Sequence, residues 1–235
     1  MPGRAAVAAV GAVGAVARRL GAALAVAVCA SIIVGCSARE PADGTGSPEA
    51  SDVAAHGTFA AVGDSITDAD SPDFAAGDFG SASWATYVVD DGFAFAGGWA
   101  EWGAPTAMMA DAVGPIQADV LVVLAGTNDV AFGIPFDESA ANLDRIVDTV
   151  GIEDVVIVSI PPMDTLPNGA NSYNVRLDDL AGDRGWRFVD ASAGLRTADG
   201  RFGEGMSSDG LHPSVDGARV LGEAIAAALR EELDE

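Results

Sequence analysis

From Gly57 onward, short apolar runs alternate with longer stretches in which apolar residues recur every three or four positions. Thr58–Val62 (TFAAV), Phe93–Ala96 (FAFA), Val120–Ala125 (VLVVLA), Val155–Ile160 (VVIVSI) and Trp186–Val189 (WRFV) read as five strands. Most of them lack polar alternation, as expected of strands covered on both faces in a parallel sheet. Asp137–Val150 places Ala140, Leu143, Ile146, Val147 and Val150 on one helical stripe, and residues 171–183 and 215–233 also have helical spacing. Pro161 and Pro162 stop the fourth strand. Strand and helix in alternation predict one three-layer α/β/α domain over residues 57–235, with a five-stranded parallel sheet and right-handed crossovers. In such sheets ligands bind beyond the carboxyl ends of the strands, so a motif gains weight when it follows one.

The first 56 residues have a different pattern. Residues 1–35 carry three arginines and no acid, and Leu20–Val34 is almost wholly Leu, Ala, Val, Ile and Gly. A positive segment followed by a short apolar run predicts a secretory signal. The run is shorter than the ~20 residues a bilayer-spanning helix needs. It ends Ile33-Val34-Gly35-Cys36, which resembles a bacterial lipobox; that resemblance implies lipidation of Cys36 and an extracytoplasmic, membrane-anchored protein, with an ordinary signal peptide as the alternative. Residues 36–56 have the composition of a flexible acidic linker, with a reach of ~25 Å.

Without residues 1–35 the chain holds nine arginines, no lysine and 35 acids, a net charge of −26. Such acidity opposes nucleic acid and anionic headgroups as partners. The absence of lysine excludes a P-loop. Cys29 and Cys36 both fall at the export segment, so the remaining domain has no disulfide pair, and His56 and His212 are its only histidines. The usual zinc ligand sets are therefore disfavoured, and neither metal nor cofactor is expected.

Four segments follow predicted strands: Gly63-Asp64-Ser65-Ile66, Gly103-Ala104-Pro105-Thr106, Gly126-Thr127-Asn128-Asp129 and Asp209-Gly210-Leu211-His212-Pro213. A serine hydroxyl becomes a nucleophile when a base within hydrogen-bond reach takes its proton, and histidine suits that task near neutrality. His56 lies where the linker meets the first strand, away from the carboxyl edge, which leaves His212 as base. Asp209, three residues earlier, is placed to hold the Nδ1 proton in a tight turn; as a plain turn residue it would have no such role. Asp64 and Asp129 are read as structural, each fixing its own turn.

In this order and context the four segments resemble the blocks of the SGNH (GDSL-like) hydrolases, over roughly residues 57–232. The resemblance implies a flavodoxin-like sheet and a serine esterase with Ser65 as nucleophile, His212 as base and Asp209 as its partner. It also implies an oxyanion hole made by the backbone N–H groups of Ser65 and Gly103 and the side-chain amide of Asn128. Gly98 competes with Gly103 for the second position. Ile66 replaces the family's leucine, and Pro105 stands where many members carry a small or hydroxyl residue. The expected substrates are short acyl or acetyl esters, including those on glycans, hydrolysed by a monomer. Two other readings stay open: a ligand-binding lipoprotein on the same fold, and an acyltransferase. Trp84, Trp99 and Trp102 are candidates for a substrate pocket or for the core, with Trp102 favoured for the pocket. The acidic loop of Asp68, Asp70, Asp73 and Asp78 lacks the EF-hand pattern.

Overall fold

The five apolar runs pair as one parallel sheet: β1 (Thr58–Gly63), β2 (Ala94–Ala100), β3 (Val120–Leu124), β4 (Val155–Val158) and β5 (Arg187–Val189), in the order β2-β1-β3-β4-β5. The structure, a computed structural model, describes residues 56–233. The signal segment, Cys36 and nearly all of the linker lie outside the described residues. The missing polar alternation has the expected cause. Ala60, Val62, Leu121, Val123, Val155 and Ile157 face one helical layer, and Phe59, Ala61, Val120, Val122, Leu124, Val156 and Val158 face the other.

The first layer contains α3 (Thr106–Ala112), α5 (Phe136–Val150) and α6 (Pro167–Arg184); the second contains α2 (Trp84–Asp90) and α7 (Val215–Leu233). Leu143, Ile146 and Val150 form the buried stripe of α5, and Leu221, Ile225 and Leu229 that of α7. Each such side chain contributes about 1.5–3 kcal/mol when fully withdrawn from water. Helices α2 and α7 approach closely at Gly222, where a Cβ would stand 2.5 Å from the Trp84 carbonyl oxygen. Trp84 is fully buried, so of the three tryptophans proposed for a pocket this one belongs to the core.

Several boundaries differ from the sequence reading. Strand β2 runs on through Gly97-Gly98 to Ala100, where the apolar run stops at Ala96. Gly98 is needed inside the strand, because a Cβ there would lie 2.1 Å from the Ala61 carbonyl oxygen on β1. The same contact removes Gly98 as a loop candidate for the oxyanion hole. Helix α6 begins at Pro167, four residues before the predicted segment, with the proline in the first turn. Helices α2 and α3, each seven residues, carried too little periodicity to be expected.

The chain reverses direction across the sheet between β1 and β3. Strand β1 leads outward to β2, and the next crossover returns past β1 to β3. The crevice at the carboxyl ends of these two strands is the switch point where open α/β sheets bind ligands.

Candidate active site

Strand β1 ends at Gly63, where a Cβ would stand 2.0 Å from Thr67 Oγ1 and 2.9 Å from the Leu124 carbonyl oxygen. Only glycine allows so tight a turn here. Asp64 then caps the four-residue helix α1 (Ser65–Asp68), its Oδ1 accepting from the Ile66 N–H at 3.0 Å. The turn is tied to α2 by Ser83 Oγ, which donates to the Thr67 carbonyl at 2.6 Å, and by the Trp84 indole, which donates to Thr67 Oγ1 at 3.0 Å. These contacts hold Ser65 in place at the mouth of the switch point.

His212 arrives from the opposite side, on the loop before α7. Ser65 Oγ lies 3.0 Å from His212 Nε2, across 147 residues of chain. On the other side of the ring, Nδ1 lies 2.7 Å from Asp209 Oδ2. The second oxygen of Asp209 accepts from the backbone N–H groups of Leu211 (2.9 Å) and His212 (2.8 Å). Partial burial pushes the Asp209 carboxyl up, but the hydrogen bonds from His212 and Leu211 outweigh it and hold the group below the ordinary carboxylate range. An ionised Asp209 requires the proton on Nδ1, which leaves the Nε2 lone pair facing the serine. The loop is anchored by the Asp164 N–H, which donates to the Gly210 carbonyl at 2.9 Å. His56 sits before β1 at the opposite edge, its ring against Phe93.

Asn128 opens α4 (Thr127–Phe132), beyond β3, and its amide joins three loops. Nδ2 donates to the Ala104 carbonyl at 3.1 Å and to Asp64 Oδ2 at 3.3 Å. Both N–H groups expected to face an oxyanion are thus engaged in the resting site, the bond to Asp64 being the longer one. Gly103 follows β2 in the left-handed region, φ 70°, with open space where a Cβ would be.

Asp64 has a larger role than its turn. It is fully buried, and that burial pushes its carboxyl up to about 7, with the Ile66 N–H and the charge of His212 opposing and Asp129 adding. Asp129 does not fix its own turn through its carboxylate, as the sequence reading expected. It accepts from the Thr106 N–H (2.9 Å), Thr106 Oγ1 (2.6 Å) and Ser139 Oγ (2.6 Å), tying α4 to α3 and α5. Neither role has a local sequence signal, since each partner lies more than nine residues away.

Beside Ser65 a cavity of about 140 Å³ is lined by Ile66, Ala69, Ala82, Trp102, His212 and Pro213, among others. The Trp102 ring lies 5.0 Å from that of His212, at 37°, and its indole N–H donates to Asp68 Oδ2 at 2.7 Å. Trp99 packs instead against the core. A larger open cavity of about 450 Å³ between α6 and residues 196–200 includes none of these groups; its Asp190 and Arg196 are paired with each other. Among the described residues no cluster of three or more His, Cys, Asp or Glu side chains converges as a metal site would.

Comparison with known proteins places the chain in a family and matches its fold. The model of the GDSL-like lipase/acylhydrolase family matches residues 61–220. A catalytic mutant of an acetylxylan esterase from Geobacillus stearothermophilus superposes with a TM-score of 0.59 at 20% identity, covering 74% of this chain and 94% of that one. A GDSL-like lipase from Bacteroides thetaiotaomicron gives 0.57 at 17% identity, covering 75% and 89% respectively. At this identity the structures speak for the fold alone. No curated protein matches the chain.

Proposed function

Because the chain belongs to the GDSL-like lipase/acylhydrolase family, and so is an enzyme of ester hydrolysis, we propose that it removes short acyl groups, acetyl above all, from carbohydrate esters with Ser65 as nucleophile. The observation that carries this reading is the continuous relay from Ser65 Oγ through His212 (3.0 Å) to Asp209 (2.7 Å).

Ser65 Oγ attacks the ester carbonyl while His212 Nε2 takes its proton, and Asp209 steadies the imidazolium. The carbonyl oxygen becomes an oxyanion, for which the N–H groups of Ser65 and Gly103 and the Asn128 amide are the donors. For Asn128 to serve, its longer bond to Asp64 gives way to the developing charge, so Asp64 orients the amide until substrate arrives. Collapse breaks the ester C–O bond, and His212 returns its proton to the departing alcohol. Water then repeats the sequence on the acyl-enzyme, with His212 as base, and releases the carboxylic acid and free Ser65.

The substrate class rests on size and charge. The cavity beside Ser65, about 140 Å³, is less than half of the smallest ordinary ligand pocket of about 300 Å³. It suits a short acyl group and leaves the alcohol outside, in water, where a sugar is at home. The net charge of the whole chain, −23, opposes anionic lipid as substrate. An acetylxylan esterase of the same fold acts on an ester of this class, with a carbohydrate as its alcohol. Lipidation at Cys36 would place the enzyme outside the cytoplasmic membrane, within reach of extracellular glycans.

The test is hydrolysis of aryl esters from two to twelve carbons, together with acetylated xylo-oligosaccharides, by the wild type and Ser65→Ala. The proposal expects Ser65-dependent turnover, highest for acetyl. Tight binding of these compounds without turnover would favour a binding protein, and a preference for long chains would remove the short-acyl assignment.

A further inference from the structure

Trp102 is the one large aromatic among the cavity's lining residues, and it is unusually placed for its type. The residue is nearly half exposed, at 47%, yet the one polar atom of its side chain is satisfied, donating to Asp68 Oδ2 at 2.7 Å. Asp68 is the last residue of α1, three positions after the nucleophile, and the chain beyond it is held in left-handed conformation at Ala69 and Asp70 (φ 45° and 57°). Left-handed backbone at two successive non-glycine residues is uncommon and persists where surrounding contacts enforce it. Trp102 also precedes Gly103 directly. The Asp68–Trp102 hydrogen bond therefore joins the turn that carries the nucleophile to the loop that carries an oxyanion donor. It also holds the indole beside the His212 ring, 5.0 Å away, where it lines the cavity.

We propose that Trp102, latched by Asp68, is the residue that sets acyl-chain length: its indole closes the cavity beside Ser65 and confines it to short acyl groups. This rests on the esterase reading above. The other candidate walls cannot take this part. Ile66 and Pro213 are buried, Ala69 and Ala82 present single methyl groups, Asp70 is polar, and His212 must pass a proton in both directions. Trp102 alone combines a large apolar surface, freedom to swing toward solvent and a single polar anchor. Because the latch is a side-chain hydrogen bond at the surface rather than core packing, its loss changes selectivity without removing the nucleophile or its base.

The experiment is kcat and KM for the aryl ester series with the wild type, Trp102→Ala, Trp102→Phe, Asp68→Ala and Asp68→Asn, each checked by far-UV circular dichroism. Trp102→Ala should move the optimum from two carbons to four or more. Each added methylene that finds apolar cover should raise kcat/KM about fourfold. Trp102→Phe keeps a ring but loses the indole N–H, and Asp68→Ala loses the acceptor; both should broaden the profile and raise KM for acetyl esters more than they lower kcat. Asp68→Asn keeps an acceptor oxygen and should keep the short-chain preference. A chain-length profile of unchanged shape in both Trp102 variants would overturn the proposal. A shift in the Trp102 variants with none in Asp68→Ala would overturn the latch. Absence of Ser65-dependent turnover in the wild type on any ester would instead fell the esterase reading, and this inference with it.

Discussion

Replacing Asp64 with asparagine should make the protein more stable in base, although it deletes a buried hydrogen-bonding charge. The wild-type carboxyl is fully buried and is pushed up to about 7, chiefly by desolvation. In the unfolded chain it titrates near its ordinary value of about 3.9. Between those pH values the folded state binds more protons than the unfolded state, so stability falls as pH rises. At 1.36 kcal/mol for each tenfold difference, the full loss is about 4 kcal/mol, of which about 2.5 kcal/mol falls between pH 5 and pH 8. Asparagine has the same shape and no charge to desolvate. It can still accept from the Ile66 N–H, but it offers Asn128 a donor in place of an acceptor, at a pH-independent cost of about 1 kcal/mol. The variant should therefore be equal to or slightly more stable than the wild type at pH 5, where the carboxyl has already cost the wild type about 1.5 kcal/mol, and should gain a further amount of about 2.5 kcal/mol by pH 8. For a domain of this size that corresponds to a shift of about 5–10 °C in the difference of melting temperatures. Urea denaturation of both proteins at half-unit pH steps measures the difference directly and cancels the many other acids. Parallel pH profiles for the two proteins would mean that Asp64 is not desolvated when folded.

Three further outcomes follow from the same geometry. Asp209→Asn turns an amide N–H toward Nδ1 and so favours the His212 tautomer that cannot accept from Ser65; kcat/KM on an aryl acetate should fall by about 10²–10⁴ with little change in melting temperature. Asp129→Ala leaves the Thr106 N–H, Thr106 Oγ1 and Ser139 Oγ without their shared acceptor, and urea denaturation should show a loss of about 3–5 kcal/mol. Gly126→Ala would put a Cβ 2.2 Å from the Tyr173 ring at φ 123°, which should cost about 3 kcal/mol through overpacking and backbone strain and be visible as a lowered melting temperature.

The sheet was legible because its strands are buried on both faces and so appear as uninterrupted apolar runs; β1, β3 and β4 are recognisable within two residues of their ends. Strand β2 was cut short because Gly97-Gly98 reads locally as a break, whereas the backbone of β1 demands glycine at position 98. Ser65 was expected from a block after β1 that resembles the SGNH pattern, His212 as the one candidate base and Asp209 from its spacing of three to it; the His212 ring lies within hydrogen-bond distance of both other side chains. The state of Asn128 could not be read in this way. Its amide is bonded to a carbonyl 24 residues away and a carboxylate 64 residues away, and no periodicity reports such contacts. Burial of Asp64 is likewise a property of the assembled core. The link between Asp68 and Trp102 spans 34 residues and two loops, so Trp102 was visible as an aromatic near a motif but not as a side chain with an anchor.

The proposed activation of the Ser65 hydroxyl by His212 in the resting protein is read directly by a fluorophosphonate ester, without reference to any natural substrate. Treating folded wild type, Ser65→Ala and His212→Ala with the reagent and locating the adduct by peptide mass spectrometry should give one phosphonate per chain, on Ser65, in the wild type alone. An unmodified wild type, or modification that persists in Ser65→Ala, would mean that His212 does not activate Ser65.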